Sequence, residues 1–381
     1  MTLPTRTAAV LLTLAASTAA TLAQAQLAEP LSLHVRAWRT EVVREEPILI
    51  RLELHNEGQA ELVVVPPYIA PRGLDLNATT FAVYTERGAR LRNRLEGDPY
   101  PYSATPFGWP WWADRGRQWM PDEPPAPSWP WVIRPGQTAG MWVNLLQFYP
   151  IADAGRYHLV FRYAPKATML LSVRDKGPPP EGIWEGKLEY DAGWIIVSEP
   201  SEADRAAADR LRHCRLEDPR RAISAGGGAF PAKDFADVVE GTVYEPYALF
   251  YRVWGGGSLP GDEDALRTRY PDFPLLPLLT VLPARRELGL AKLRFEKATC
   301  HLCDRLSDTR MSEERIGQLE SDTQQAADDL QAALPGFRDA AIQAGDYSVA
   351  AEADFWEWYM NAWIHLCDSQ RERAAKRRGQ G

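Results

Sequence analysis

The hydrophobic period of this chain changes once, near Pro200, and that change limits what the chain can fold into. Upstream, "PILIRLELH" puts Ile48, Ile50, Leu52 and Leu54 on one parity and Arg51, Glu53 and His55 on the other. A period of two marks a half-buried strand. Downstream, "SEADRAAADRLRHC" opens with a capping box from Ser201 to Asp204 and continues at helical spacing. "VYEPYALFYRVW", "PARRELGLAKLRFEKATCHLCDRL", "SEERIGQLESDTQQAADDLQAAL" and "SVAAEADFWEWYMNAWIHLCDSQRERAAKR" read as further helices. In the last, Phe355, Tyr359, Trp363 and Leu366 share one stripe, a pattern that belongs to a core. The expected fold class is therefore multidomain, β then α.

The β part carries its own punctuation. "NEG" at Asn56 to Gly58 is a turn, "AELVVV" leads into a strand, and "FAVYTERGARLR" reads as a hairpin around Glu86, Arg87 and Gly88. "VIRPGQTAGMWVNL" turns at Pro135 and Gly136, "YHLVFRY" alternates Tyr157, Leu159, Phe161 and Tyr163, and "GWIIVSEP" closes the series. Roughly seven to nine short strands with polar turns predict an antiparallel sandwich. "DAGRYHL" places Asp153, Gly155, Tyr157 and Leu159 as a tyrosine corner, with leucine where antibody domains carry cysteine. With "RPGQT" upstream, it resembles the end of immunoglobulin-like domains of bacterial exported proteins. It also resembles, less specifically, the bacterial sandwich proteins known as intracellular proteinase inhibitors. The resemblance covers residues 30–200 and implies a fold rather than an activity; no reactive-loop motif is matched.

The first residues, MTLPTRTAAVLLTLAASTAATLAQAQ, set Arg6 before an apolar run from Ala8 to Ala16 and an A-x-A site at Ala23 to Ala25. That is the pattern of a secretory signal peptide cut after Ala25, and it predicts a periplasmic or secreted protein. The apolar run is too short to make a good anchor, no cysteine follows the cut, and no later run suits a membrane span. The mature chain of about 355 residues exceeds one core. The expected organisation is a signal peptide (1–25), an immunoglobulin-like sandwich (26–200) with an insertion (99–131), a helical domain (201–370) and a basic flexible tail (371–381). A net charge of −8 argues against a nucleic-acid partner.

Between Pro99 and Trp131 stand nine aromatic residues and nine prolines, which forbid a helix. Tryptophan faces stack on sugar rings, and proline lowers the entropy lost on binding. Trp109, Trp111, Trp112, Trp119 and Trp129 are thus candidates for a glycan-binding surface. Six exposed indoles would show roughly 1,000 Å² of apolar surface, whereas soluble monomers tolerate about 300–600 Å² in one patch. Most of these rings are therefore expected to pack as a lid, leaving one or two for a ligand or partner.

All four cysteines, Cys214, Cys300, Cys303 and Cys367, lie in the helical half, an even number that suits disulfides in an exported chain. Cys300 and Cys303 share a helix face, so each is expected to reach a separate helix, one to Cys214 and the other to Cys367. Three pairings remain open. His213, His301 and His365 beside these cysteines offer zinc as the alternative; disulfides are favoured, so no metal and no cofactor is expected. No G-x-S-x-G, H-E-x-x-H, P-loop or dinucleotide fingerprint occurs, and Asp114, Asp122 and Glu123 have no evident partner. The expected role is non-catalytic binding or scaffolding in the cell envelope, with an envelope protein or a glycan as partner. Specific glycan or peptidoglycan binding is the alternative. An enzyme assembled across the two domains would need a buried, unusually titrating carboxylate or histidine, and a proteinase inhibitor is a further alternative.

Overall fold

β-branched and aromatic residues at alternate positions build strands throughout the N-terminal half of the computed structural model, and helices fill the C-terminal half. The structure describes residues 30–69, 73–74, 79–92, 130–165, 182–217, 236–255, 258–306 and 311–378. Its strands are β1 (Leu31–Ala37), β2 (Glu41–Val43), β3 (Leu49–Asn56), β4 (Leu62–Val64), β5 (Tyr68–Ile69) and β6 (Gly73–Leu74). They continue with β7 (Thr79–Thr85), β8 (Trp131–Ile133), β9 (Thr138–Asn144), β10 (Gly155–Tyr163), β11 (Ile183–Trp184) and β12 (Leu188–Ser198).

Two sheets dominate, ordered β1-β3-β9 and β2-β12-β10-β7. Smaller sheets run β11-β4-β8 and β5-β6. Pairing is antiparallel except for β2 with β12 and β4 with β11. Leu33, Leu52 and Met141 from the first sheet and Val83, Leu159 and Ile195 from the second belong to one buried cluster. Ile48, Ile50, Leu52 and Leu54 are buried as the alternation in "PILIRLELH" implied. Leu49 and Arg51 of the other parity are buried too, because the helix corner at Gly345 covers that face and Arg51 donates to its carbonyl.

The turns form where their residues demand. Gly88 and Gly136 both adopt positive φ in tight turns, and the Asn56 side chain donates to Ala60 and Ile133 carbonyls while accepting from the Gly58 N–H. At the expected corner, the Tyr157 hydroxyl donates to the Asp153 carbonyl at 2.8 Å. The buried Tyr149 and Tyr163 hydroxyls donate to the carbonyls of Phe81 and Val65, so neither is left without a partner.

Seven helices follow among the described residues: α1 (Glu202–Glu217), α2 (Ala236–Val239), α3 (Glu245–Gly255), α4 (Asp262–Arg269), α5 (Leu282–Leu306), α6 (Glu313–Gln343) and α7 (Tyr347–Arg378). Ser201 caps α1, its hydroxyl oxygen accepting from the Asp204 N–H, and Ser312 caps α6 in the same way through Arg315. The sequence pattern placed the end of α6 at Leu334, before Pro335. The helix instead runs through the proline to Gln343, because Leu334, Phe337 and Ala341 keep its buried stripe in register beyond it. Phe355, Tyr359 and Trp363 lie buried on α7 as their stripe implied. The stretch expected as a flexible tail from residue 371 continues α7 as far as Arg378, with Arg371 paired to Glu320 at 3.0 Å.

The helices close directly on the strands. Trp38, just after β1, meets Tyr247 of α3 and Phe273 edge-on at 5.9 and 5.4 Å, and the large buried cluster runs without a break from the sheets into α3, α5, α6 and α7. Among the described residues no helix is long and apolar enough to cross a membrane.

Candidate functional site

Among the described residues, the outward parity of the second sheet carries a row of aromatic rings. In register, His158 of β10 stands opposite both Tyr84 of β7 and Trp194 of β12, so one row of rings crosses three strands. The His158 ring lies 5.0 Å from Trp194 and 6.4 Å from Tyr84, tilted by 34° and 36°. The Arg156 guanidinium sits 4.9 Å from the centre of the Trp194 ring, a cation–π contact. Trp194 is 40% exposed and its neighbour Ile196 38%, so a large ring and a branched aliphatic chain face solvent together.

A bulge shapes this row. The pairing of β10 with β12 shifts between Leu159 and Val160, and Gly193 in the bulged strand has φ of +78°. Only glycine takes that backbone without strain. The kink brings Asp191 back towards His158, whose Nε2 lies 2.7 Å from the carboxylate. The Gly193 N–H, which donates to Asp191 at 2.9 Å, and then the His158 ring hold the Asp191 carboxyl below its ordinary range. Among the described residues the result is an amphipathic row in which rings, a guanidinium and a carboxylate stand side by side and Trp194 and Ile196 reach solvent.

Two carboxylates at the β–α junction are buried, and burial raises both above the ordinary carboxylate range. Glu46 accepts from the Val43 N–H at 2.9 Å, the Tyr247 hydroxyl at 2.9 Å and Arg39 at 3.2 Å, and its burial raises its pKa. Tyr247 is itself pushed well up, by burial first and then by Glu46. Asp346, wholly buried at the α6–α7 corner, is also raised by burial. It caps α7 through the N–H groups of Ser348 and Val349 at 3.0 and 3.2 Å, and accepts from the Trp142 N–H of β9 at 3.2 Å. Arg51 of β3 lies 4.0 Å from it and donates to the Gly345 carbonyl. Both carboxylates are enclosed by protein donors, and this arrangement holds the helices to the sheet.

The other predicted site residues divide into three groups. Trp109, Trp111, Trp112, Trp119 and Trp129 lie outside the described residues; Trp131, at the end of that stretch, is buried against Tyr347 at 5.3 Å. Cys214 lies in α1, with its side chain outside the described residues. Cys300 is exposed on α5, whereas Cys303, one turn on, has its Sγ 2.8 Å from that of the buried Cys367 on α7. Among the described residues no group of three or more histidine, cysteine or acidic side chains converges as a metal site would.

The sequence pattern singles out none of Tyr84, Arg156, His158, Asp191 and Trp194 as site residues. The signal was present in parity: in "RYHLVFR" the positions that alternate with buried Tyr157, Leu159 and Phe161 are Arg156, His158, Val160 and Arg162, and "GWIIV" puts Trp194 and Ile196 on the outer side. What parity could not supply was the register that aligns three strands. No protein-family model matches the chain, and no curated protein matches it in sequence.

Proposed function

We propose that this chain is an exported, non-catalytic binding protein of the cell envelope, and that it takes a protein partner on the face that carries Trp194. The observation behind this reading is the joint exposure of Trp194 and Ile196 beside Arg156, His158 and Tyr84. Tryptophan, tyrosine and arginine are the residues that carry most binding energy at protein interfaces, and they are already ordered here, so little entropy is lost on docking. A protein partner is favoured over a glycan because the Trp194 ring packs against His158 and carries the Arg156 guanidinium over it. A sugar ring stacks on a free aromatic face, whereas a protein surface can pack on ring edges and on Ile196.

The same proposal reads the β half as an immunoglobulin-like sandwich. Two sheets that share one buried cluster support it, as does the Tyr157 to Asp153 corner bond. The leader-like start, with Arg6 and the site at Ala25, supports export.

A photo-crosslinking residue placed at Ile196, and separately at Gln325 on α6, tests the reading in cells that produce the protein. Gln325 is exposed and hydrogen-bonds Asp329 on a polar helix face, so it reports random encounter. A discrete protein adduct from position 196, absent from position 325, is the expected result. Equal adducts from both positions, or none, contradict it. Retention of the wild type on insoluble glycans that is lost in Trp194→Ala would replace the protein partner by a glycan.

A further inference from the structure

The far end of the long helices, remote from the sheets, raises a separate question. There Leu302 and Leu306 of α5, Ile316 and Leu319 of α6, and Cys367 of α7 form a small buried cluster of their own, apart from the large one. Beside it a cleft of about 320 Å³ opens between the three helices, lined in part by Leu302, Leu306, Ile364, Glu320 and Arg371. Among the described residues, five buried side chains make up the cluster that joins the three helix ends. Small hydrophobic clusters of this kind are where proteins rely on covalent staples.

We infer that Cys303 and Cys367 form a cystine that clamps α5 to α7 at this end of the helical layer. Their sulfurs stand 2.8 Å apart across the helix interface, closer than two non-bonded sulfurs normally rest. An approach of about 0.8 Å completes the bond. The residues are 64 apart in sequence, so the link closes a loop that contains all of α6, which makes it effective against the unfolded chain. Cys300 shares α5 but is exposed, whereas Cys303 is the cysteine turned towards α7.

The chemistry needs a two-electron oxidant, and a small disulfide such as oxidised glutathione supplies it. The Cys303 thiolate attacks one glutathione sulfur, and the first glutathione thiolate leaves. Cys367 then attacks the Cys303 sulfur of the mixed disulfide and expels the second. The two cysteines lose two protons and two electrons, and two reduced glutathiones carry them away. The contact with Cys303, and then burial, push the Cys367 thiol far up, so the half-buried Cys303 is the one to react first. Once formed, so enclosed a bond is structural rather than a shuttle for electrons.

The test uses the full chain treated with oxidised glutathione, alkylated without reduction, digested and mapped by mass. A cystine peptide joining Cys303 to Cys367 is expected. Cys303→Ser, Cys367→Ser and the double variant should then lose the same amount of thermal stability, about 5 °C or more, with no further loss in the double variant. Reductant should erase the difference between these variants and the wild type. Alkylated Cys303 and Cys367, a link from Cys367 to Cys300, or one equivalent of bound zinc released by thiol reagents would each overturn the inference. So would a wild type that melts at the same temperature with and without reductant. The assay does not involve the Trp194 face, so its outcome is independent of the partner proposal.

Discussion

At the scale of single residues, the junction between strands and helices depends on buried acids rather than on apolar contact alone. Glu46 receives a hydroxyl, a guanidinium and a backbone N–H, and Tyr247 supplies the hydroxyl from a residue 201 positions away. Removing that donor in Tyr247→Phe leaves a buried carboxylate short of one partner. The expected cost is about 1–3 kcal/mol of stability, read from urea unfolding. The acid also makes stability depend on pH with a defined sign. Burial raises Glu46 and Asp346 above their ordinary values of 4.5 and 3.8. Between the ordinary and the raised value the folded state keeps a proton that the unfolded chain has released, so this contribution falls as pH rises through that window. The wild type's advantage over Glu46→Gln should therefore shrink as pH is raised from the ordinary carboxylate range towards neutrality. A gap that widens instead would show that Glu46 is stabilised as the anion.

At the scale of elements, the β-bulge and the long helices set the geometry by local means. Gly193 holds φ of +78° with open space where a Cβ would lie, so Gly193→Ala pays only for the backbone. The expected loss is about 1–2 kcal/mol, together with loss of the Gly193 N–H bond that holds the Asp191 carboxyl low, visible as a rise in the Asp191 titration followed by NMR. An unchanged titration would mean that the bulge does not set the Asp191 position. Gly289 of α5 and Gly336 of α6 are the opposite case. Both lie inside helices, neither shows positive φ, and a methyl group at either meets nothing within 4 Å. Replacing each by alanine should raise stability by about 0.5–1 kcal/mol, additively, as measured by chemical denaturation.

At the scale of the whole molecule, the buried cluster that runs from the sheets into α7 ties the two kinds of secondary structure into one network. Loss of helix by far-ultraviolet dichroism and loss of sheet packing by tryptophan fluorescence should then share one thermal midpoint; two separated midpoints would show the halves to be independent. Much of this architecture was legible in the chain. The change of period at Pro200, the glycine turns at 88 and 136, the Ser201 cap and the tyrosine corner are local signals, and local signals survive in sequence. Long-range relations did not. The order β1-β3-β9 and the parallel pairing of β2 with β12 join segments far apart, and only register aligns Tyr84, His158 and Trp194. The choice of Cys303 over Cys300 for Cys367 likewise depends on how α5 rolls against α7, which no spacing of cysteines encodes.

The central claim, that the Trp194 face docks a protein, is tested most directly by the crosslinking yield at position 196 with and without Trp194→Ala. Trp194 is 40% exposed and its contacts are the cross-strand His158 and Arg156, so its loss should cost about 1–2 kcal/mol and leave the protein folded. If it anchors the interface, the yield of the discrete adduct should fall about tenfold or more. An undiminished adduct in Trp194→Ala, from a protein that remains folded at the crosslinking temperature, would contradict the claim.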